Sequence, residues 1–232
     1  MLFDLDGTLV HHVNPRVLQM LEVLDDCSHR AGRLVARFRL ARRNAAATGK
    51  VPKLLVHKAI HRVRRKSIEE MLEPCPAMRA TLERLRAEGV TLGVVSNGLG
   101  KGYGHDVLEA FDLRRYFSAA VFREDVSRGK PWPDSIVAAL AIIGRPLRRS
   151  DVIWYVGDQR KDIAAAVAAS QALGQPIRPI ALGPRAALAA VEARLTPSQI
   201  MLGPWDLERA VRATFEEDIG SLLIDPLPAP LI

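Results

Sequence analysis

The chain has 232 residues, 48% of them hydrophobic and 25% charged, with a formal net charge of +7. No apolar run approaches the ~18 residues that span a bilayer, and the first ten residues lack the basic start of a secretory signal. The only cysteines, Cys27 and Cys75, form neither a CxxC pair nor a disulfide framework, so a reducing, cytoplasmic setting with both thiols as packing residues is expected.

The charge is unevenly placed. Residues 11–74 hold 14 Lys/Arg and 6 Asp/Glu, and the rest of the chain holds 19 and 20. A positive field confined to one segment suits an anionic partner, either nucleic acid or a phosphorylated small molecule.

The chain opens "MLFDLDGTLV", predicting a short buried strand that ends near Leu5 and turns at Gly7 and Thr8. Next, "NPRVLQMLEVLDD" offers Asn14 as an N-cap and Pro15 at the first helical position. Two more helices are predicted, over "GRLVARFRLARRNAAA" and from about Lys53 to Leu72. After "EPCP" the order becomes helix, buried strand "TLGVV", loop, helix "DVLEAFDL", strand "SAAVF", loop "REDVSRGKPWP" and helix "DSIVAALAII". Strand "DVIWYVGD", helix "DIAAAVAASQAL", strand "IRPIAL", helix "RAALAAVEARL", short strand "SQIML" and helix "PWDLERAVRATF" follow. This alternation predicts an α/β fold: a Rossmann-like parallel sheet with helices on both faces, interrupted near its start by a helical insert. Residues 1–10 and 75–220 form the core, 11–74 the basic insert and 221–232 a Pro-rich tail.

Ligands of such sheets lie beyond the carboxyl ends of the strands, and each apolar strand delivers a polar group there. The first gives Asp4 and Asp6, the second Ser96 and Asn97, and the fourth Asp158 with Asp162 four residues on; Lys130 precedes "PWPD". Carboxylates gathered in one cleft repel by about 4 kcal/mol per pair at 4 Å and a surface-like dielectric. Lys130 supplies one positive charge, and a hard divalent cation, Mg²⁺ by preference, supplies the remainder.

"DLDGTLV", "VVSNG", "RGKPWPD" and "VGDQRKD" resemble, in order and spacing, the four motifs of the haloacid dehalogenase superfamily, over residues 1 to about 215. The resemblance implies a Mg²⁺-dependent phosphatase acting on a small phosphate monoester. Asp4 would be the nucleophile and Asp6 the general acid and base, its carbonyl also ligating metal. Thr8 would fix Asp6 and border the phosphate. Ser96, with the backbone around Asn97, would bind the phosphoryl group, and Lys130 would neutralise that group and Asp4. Asp158 would ligate Mg²⁺, and Asp162 would ligate it from the outer shell or orient Lys130. Members that displace halide typically lack the second aspartate, so Asp6 favours ester hydrolysis over dehalogenation; phosphomutases share the pair. A non-catalytic basic binding module is the alternative from another class. The insert resembles the C1-type cap of phosphoglycolate-phosphatase-like members, which closes over a small anionic substrate. On this reading nucleic acid and membranes are not partners, and the protein is a monomer or homodimer. Relatives usually have more residues before the first motif, so an upstream extension is expected to raise thermal stability.

The remaining features have plainer expectations. His57, His61, Arg62 and Arg65 lie on a basic helical face that is chiefly solvated, and His11 and His12 form a hinge or flap. "NGLGKGYGHD" is expected as a flexible loop lining the cleft, because a dinucleotide fold wants GxGxxG in the first βαβ unit. Lys101 is expected in solvent, and Trp132, Trp154 and Trp205 in the core.

Overall fold

The computed structural model describes residues 1–12, 68, 72–148 and 151–222. Six parallel strands form the main sheet: β1 (Leu2–Phe3), β4 (Gly93–Val95), β5 (Ala119–Val121), β6 (Ile153–Gly157), β7 (Ile177–Leu182) and β8 (Ile200–Met201). Their order is β5-β4-β1-β6-β7-β8, so the two-residue strand β1 lies inside the sheet between β4 and β6. Its two residues are fully buried because alternate side chains enter opposite faces of the sheet. Leu2, Val95 and Tyr155 join Ile136, Ala139 and Ala165 on one face. Phe3, Val94 and Val156 join Leu82, Leu85 and Leu207 on the other.

Helices cover both faces, as the alternating pattern predicts: α1 (Pro76–Ala87), α2 (His105–Ala110), α3 (Asp134–Ile143), α4 (Arg160–Leu173), α5 (Gly183–Glu192) and α6 (Pro204–Leu222). Helix α6 runs well past the expected "PWDLERAVRATF", to Leu222. No described helix is long and apolar enough to cross a membrane.

A second, two-stranded antiparallel ribbon pairs β2 (Val10–His12) with β3 (Leu72–Pro74), His12 opposite Leu72. The chain therefore leaves this ribbon and re-enters it at one place beside β1. The helices expected between them, with Cys27, His57, His61, Arg62 and Arg65, lie outside the described residues. Cys75 is free and buried, as expected.

Two tryptophans depart from the expectation of core positions: Trp132 is 45% and Trp205 58% exposed. Trp132 lies under the Arg128 guanidinium, 4.6 Å from its ring centroid, a stacking partner that serves an aromatic ring at the surface. Trp205 stands in the first turn of α6, outside the stripe through Leu207 and Val211 that meets the sheet. Trp154 packs partly buried against the core, as expected.

Candidate active site

Strand register assembles the site. Phe3 pairs with Val94 on one side and Val156 on the other, so Asp4 emerges from the sheet next to the ends of β4 and β6. Its amide still donates to the Val156 carbonyl at 2.8 Å, which holds the backbone of Asp4 as if it were strand. The chain then turns sharply. Gly7 has φ +86°, and a Cβ there would lie 2.3 Å from Asp158 Oδ2. Only glycine allows both the left-handed backbone and that approach.

Lys130 reaches this edge from the segment between β5 and α3, and is 5% exposed. Its Nζ binds Asp4 Oδ1, Asp162 Oδ1 at 2.6 Å and the Val95 carbonyl at 3.3 Å. Burial alone would depress this lysine, but the carboxylates of Asp162 and Asp4 outweigh it and hold the ammonium above its ordinary range. Asp162 is wholly buried and fully engaged. Besides Lys130 it accepts from Tyr155 Oη at 3.2 Å, and its Oδ2 accepts from the Gln159 amide at 3.0 Å. The last bond caps the start of α4, which is why a carboxylate four residues after Asp158 can be held this firmly.

Asp4, Asp158 and Asp162 bring carboxylate oxygens within 4.8 Å of one another. One lysine cannot balance three such groups. Burial, followed by the charges of Asp162, Asp158 and Asp6, pushes Asp4 well above the usual carboxylate range against the pull of Lys130. Burial and then Asp162 push Asp158 up to about 7. Asp158 Oδ1 is buried with no hydrogen-bond partner among the described residues. An unpartnered oxygen facing an excess of hard anionic ligands fits a divalent cation such as Mg²⁺.

Asp6 lies past the bend, 8% exposed, and is held differently. Ser96 Oγ donates to its Oδ2 at a long 3.5 Å, and Tyr103 Oη donates to its Oδ1. Ser96 Oγ also accepts from the Gly98 amide at 2.9 Å. Thr8 does not fix Asp6 as expected: its side chain is completely buried, but its Oγ1 has no partner among the described residues. Ser96 and Tyr103 contact the carboxylate instead of the Thr8 hydroxyl.

The Asn97 side chain has a use of its own beside the expected backbone role. Its Nδ2 donates to the Lys130 carbonyl at 2.9 Å, and its Oδ1 accepts from the Lys130 amide at 2.8 Å. The two polar ends hold the N–H and the C=O of Lys130, on the peptide units either side of its Cα, so the side chain positions Lys130 and is not turned toward a ligand. Lys101 is exposed and His11 lies on β2, also exposed. Tyr103 and Tyr155 were not legible as site residues. One follows a glycine run that reads as loop, and the other reads as an apolar strand residue.

Known proteins bear on this geometry. The haloacid dehalogenase-like hydrolase family matches residues 1–172. Phosphoglycolate phosphatase of Escherichia coli K12 is 36% identical over 94 residues, 40% of this chain. The match spans 36% of that relative's length, and the Salmonella choleraesuis phosphatase aligns over the same share at 34% identity. Two solved structures share the fold. A haloacid dehalogenase superfamily hydrolase from Ehrlichia chaffeensis superposes with a TM-score of 0.57 at 16% identity, covering 92% of this chain and 96% of its own. A phosphatase of the same superfamily from Thermococcus onnurineus gives 0.51 at 22%, covering 90% and 95%.

Proposed function

The chain belongs to the haloacid dehalogenase-like hydrolase family, and on that premise we propose that it hydrolyses a small phosphate monoester through a phosphorylated Asp4. The observation that carries this reading is the Lys130 ammonium shared by Asp4 and Asp162 at the strand edge, with Asp6 two residues on.

The ion pair with Lys130 engages Asp4 Oδ1, which assigns Oδ2 as the attacking oxygen. That oxygen forms a bond to phosphorus as the bond from phosphorus to the leaving oxygen breaks. The proton that the leaving alkoxide needs comes from Asp6, two residues on and directly before the Gly7 turn. Asp6, now a carboxylate, takes a proton from water as that water attacks phosphorus. Inorganic phosphate leaves and both aspartates return to their starting states. Lys130 neutralises charge gathering on the phosphoryl oxygens, held in place from above by Asp162 and from its own backbone by Asn97. Ser96 borders the same space.

Asp4 and Asp158, with the Asp6 main-chain carbonyl, would hold Mg²⁺, and Asp162 would orient Lys130 beside it. When bound, the metal supplies electrostatic stabilisation of the phosphoryl group and lowers mutual repulsion among the carboxylates. The basic residues 11–74 are the reading's source of specificity: joined to the core through the β2–β3 ribbon, they would act as a cap over a substrate with a second anionic group. A phosphorylated hydroxy acid such as the substrate named for the Escherichia coli relative is of that class.

The test is hydrolysis of p-nitrophenyl phosphate with Mg²⁺. Turnover is expected, with EDTA abolishing it and Asp4→Asn lowering it by at least about a thousandfold. An Asp4→Asn protein as active as the wild type removes the covalent mechanism. A panel containing 2-phosphoglycolate, sugar phosphates and nucleotides then ranks substrates.

A further inference from the structure

The glycine-rich run after β4 is a built turn, in contrast to the expected flexible loop. Residues Gly100–Gly104 form one wide turn whose backbone leaves helical geometry at Lys101 and Gly102, closed by the Gly104 amide donating to the Leu99 carbonyl at 2.8 Å. Gly102 has φ +79°, and a Cβ on Gly100 or Gly104 would lie 2.7 or 2.1 Å from the Phe122 ring. The turn therefore rests directly on that ring, with no room for side chains beneath it. Glu124, in the short turn after β5, secures it. Its carboxylate accepts from the Gly100 amide at 2.8 Å and the Lys101 amide at 2.9 Å.

Every one of these constraints bears on where Tyr103 goes. The side chain is 5% exposed, edges against Gly98, where a Cβ would stand 3.4 Å from its ring, and ends with its hydroxyl on Asp6 Oδ1. We propose that Tyr103 is a positioning residue for Asp6, and that the glycine turn exists to deliver it. With Oδ1 tied to the phenol and Oδ2 held only by the long 3.5 Å contact from Ser96 Oγ, Oδ2 is the oxygen that carries the proton to the leaving group. As that proton departs, negative charge develops on Asp6, and the Tyr103 hydroxyl is already aimed at it. The proposal rests on the phosphatase reading above and adds a residue that the four motifs do not contain.

Leaving-group dependence tests it, because help in protonating the leaving oxygen matters more as that oxygen becomes more basic. Values of kcat/KM, which report the step that expels the leaving group, are measured with Mg²⁺ on phenyl phosphate and p-nitrophenyl phosphate. Tyr103→Phe is expected to lose about tenfold or more on phenyl phosphate and about threefold or less on p-nitrophenyl phosphate. Tyr103→Leu, which also removes the ring, is expected to show the same difference between the two esters. Equal losses on both esters in both variants overturn the assignment while leaving the phosphatase reading intact. A wild-type protein that hydrolyses neither ester overturns both.

Discussion

Asp4 and Asp6 stand two residues apart, yet Asp4 answers to a lysine brought in from position 130 and Asp6 to hydroxyls on Ser96 and Tyr103. On the Asp4 side the partners are charged, wholly buried and shared: Lys130 serves Asp4 and Asp162, and Asp162 in turn caps α4. On the Asp6 side the described contacts include two hydroxyls, Ser96 and Tyr103, which backbone packing brings there. The difference matches the two tasks proposed. A nucleophile must stay ionised and still among other carboxylates, which takes positive charge from Lys130 and from the divalent cation the proposed function calls for. An acid that gives and regains a proton in each turnover needs hydroxyl donors that hold its carboxyl in one orientation.

Three substitutions separate the two sides. The largest effect is expected from Lys130→Met, which leaves Asp4 and Asp162 buried with no ammonium between them. Loss of one partner from a buried pair costs about 3–5 kcal/mol, so urea unfolding is expected to show a loss of that order together with loss of turnover. A fully stable Lys130→Met protein would break the contrast, since neutral packing would then hold the charged side equally well.

Gly104→Ala acts on the other side. Its Cβ meets the Phe122 ring at 2.1 Å, and relief of such a clash costs about 1–3 kcal/mol. The turn shifts and carries Tyr103 with it, so the variant is expected to acquire the leaving-group dependence of Tyr103→Phe. Lost stability with an unchanged ratio of the two esters would separate the turn from the acid.

The smallest effect is expected from Asp134→Asn. Arg128 binds Asp134 through two nitrogens, at 2.9 and 2.7 Å, but the arginine is half exposed and solvent screens the pair. The loss is expected below about 1 kcal/mol in thermal unfolding at neutral pH. The Arg128 guanidinium holds the Asp134 carboxyl below its ordinary range. The stabilisation is therefore complete above the unfolded-state pKa and disappears as pH falls through the lower folded-state value. Wild type and variant should converge in acid. A large loss at neutral pH would mean that charge, and not burial, sets the cost on the ionic side.

Much of the fold was legible because periodicity is a local property. The strands and helices from residue 76 onward fall close to where apolar runs and glycine breaks put them, with α6 longer than its sequence pattern. The charged side of the site was legible for a related reason. Strand ends in a parallel sheet share one edge, so polar residues straight after apolar runs converge whatever the details. The uses of Thr8 and Asn97 were not legible. Each depends on which way one backbone turn aims a short side chain, and no spacing rule contains that. Trp132 and Trp205 misled for a similar reason, since hydrophobic character does not say whether a guanidinium or a core waits beside the ring.

The sequence by itself determined the sheet class, the identity of the acidic residues and lysine at its carboxyl edge, and the segment that carries the positive charge. These follow from chain-local chemistry: alternation, turn residues and charge count. Only the tertiary structure decided that Asn97 holds the Lys130 backbone, that Asp162 is spent on Lys130, Tyr155 and a helix end, and that Tyr103 reaches Asp6. The bonds from Asn97 to Lys130, from Lys130 to Asp162 and from Tyr103 to Asp6 join residues far apart in the chain, and the last is set by how closely backbones approach, which four glycines between residues 98 and 104 permit and no composition reveals.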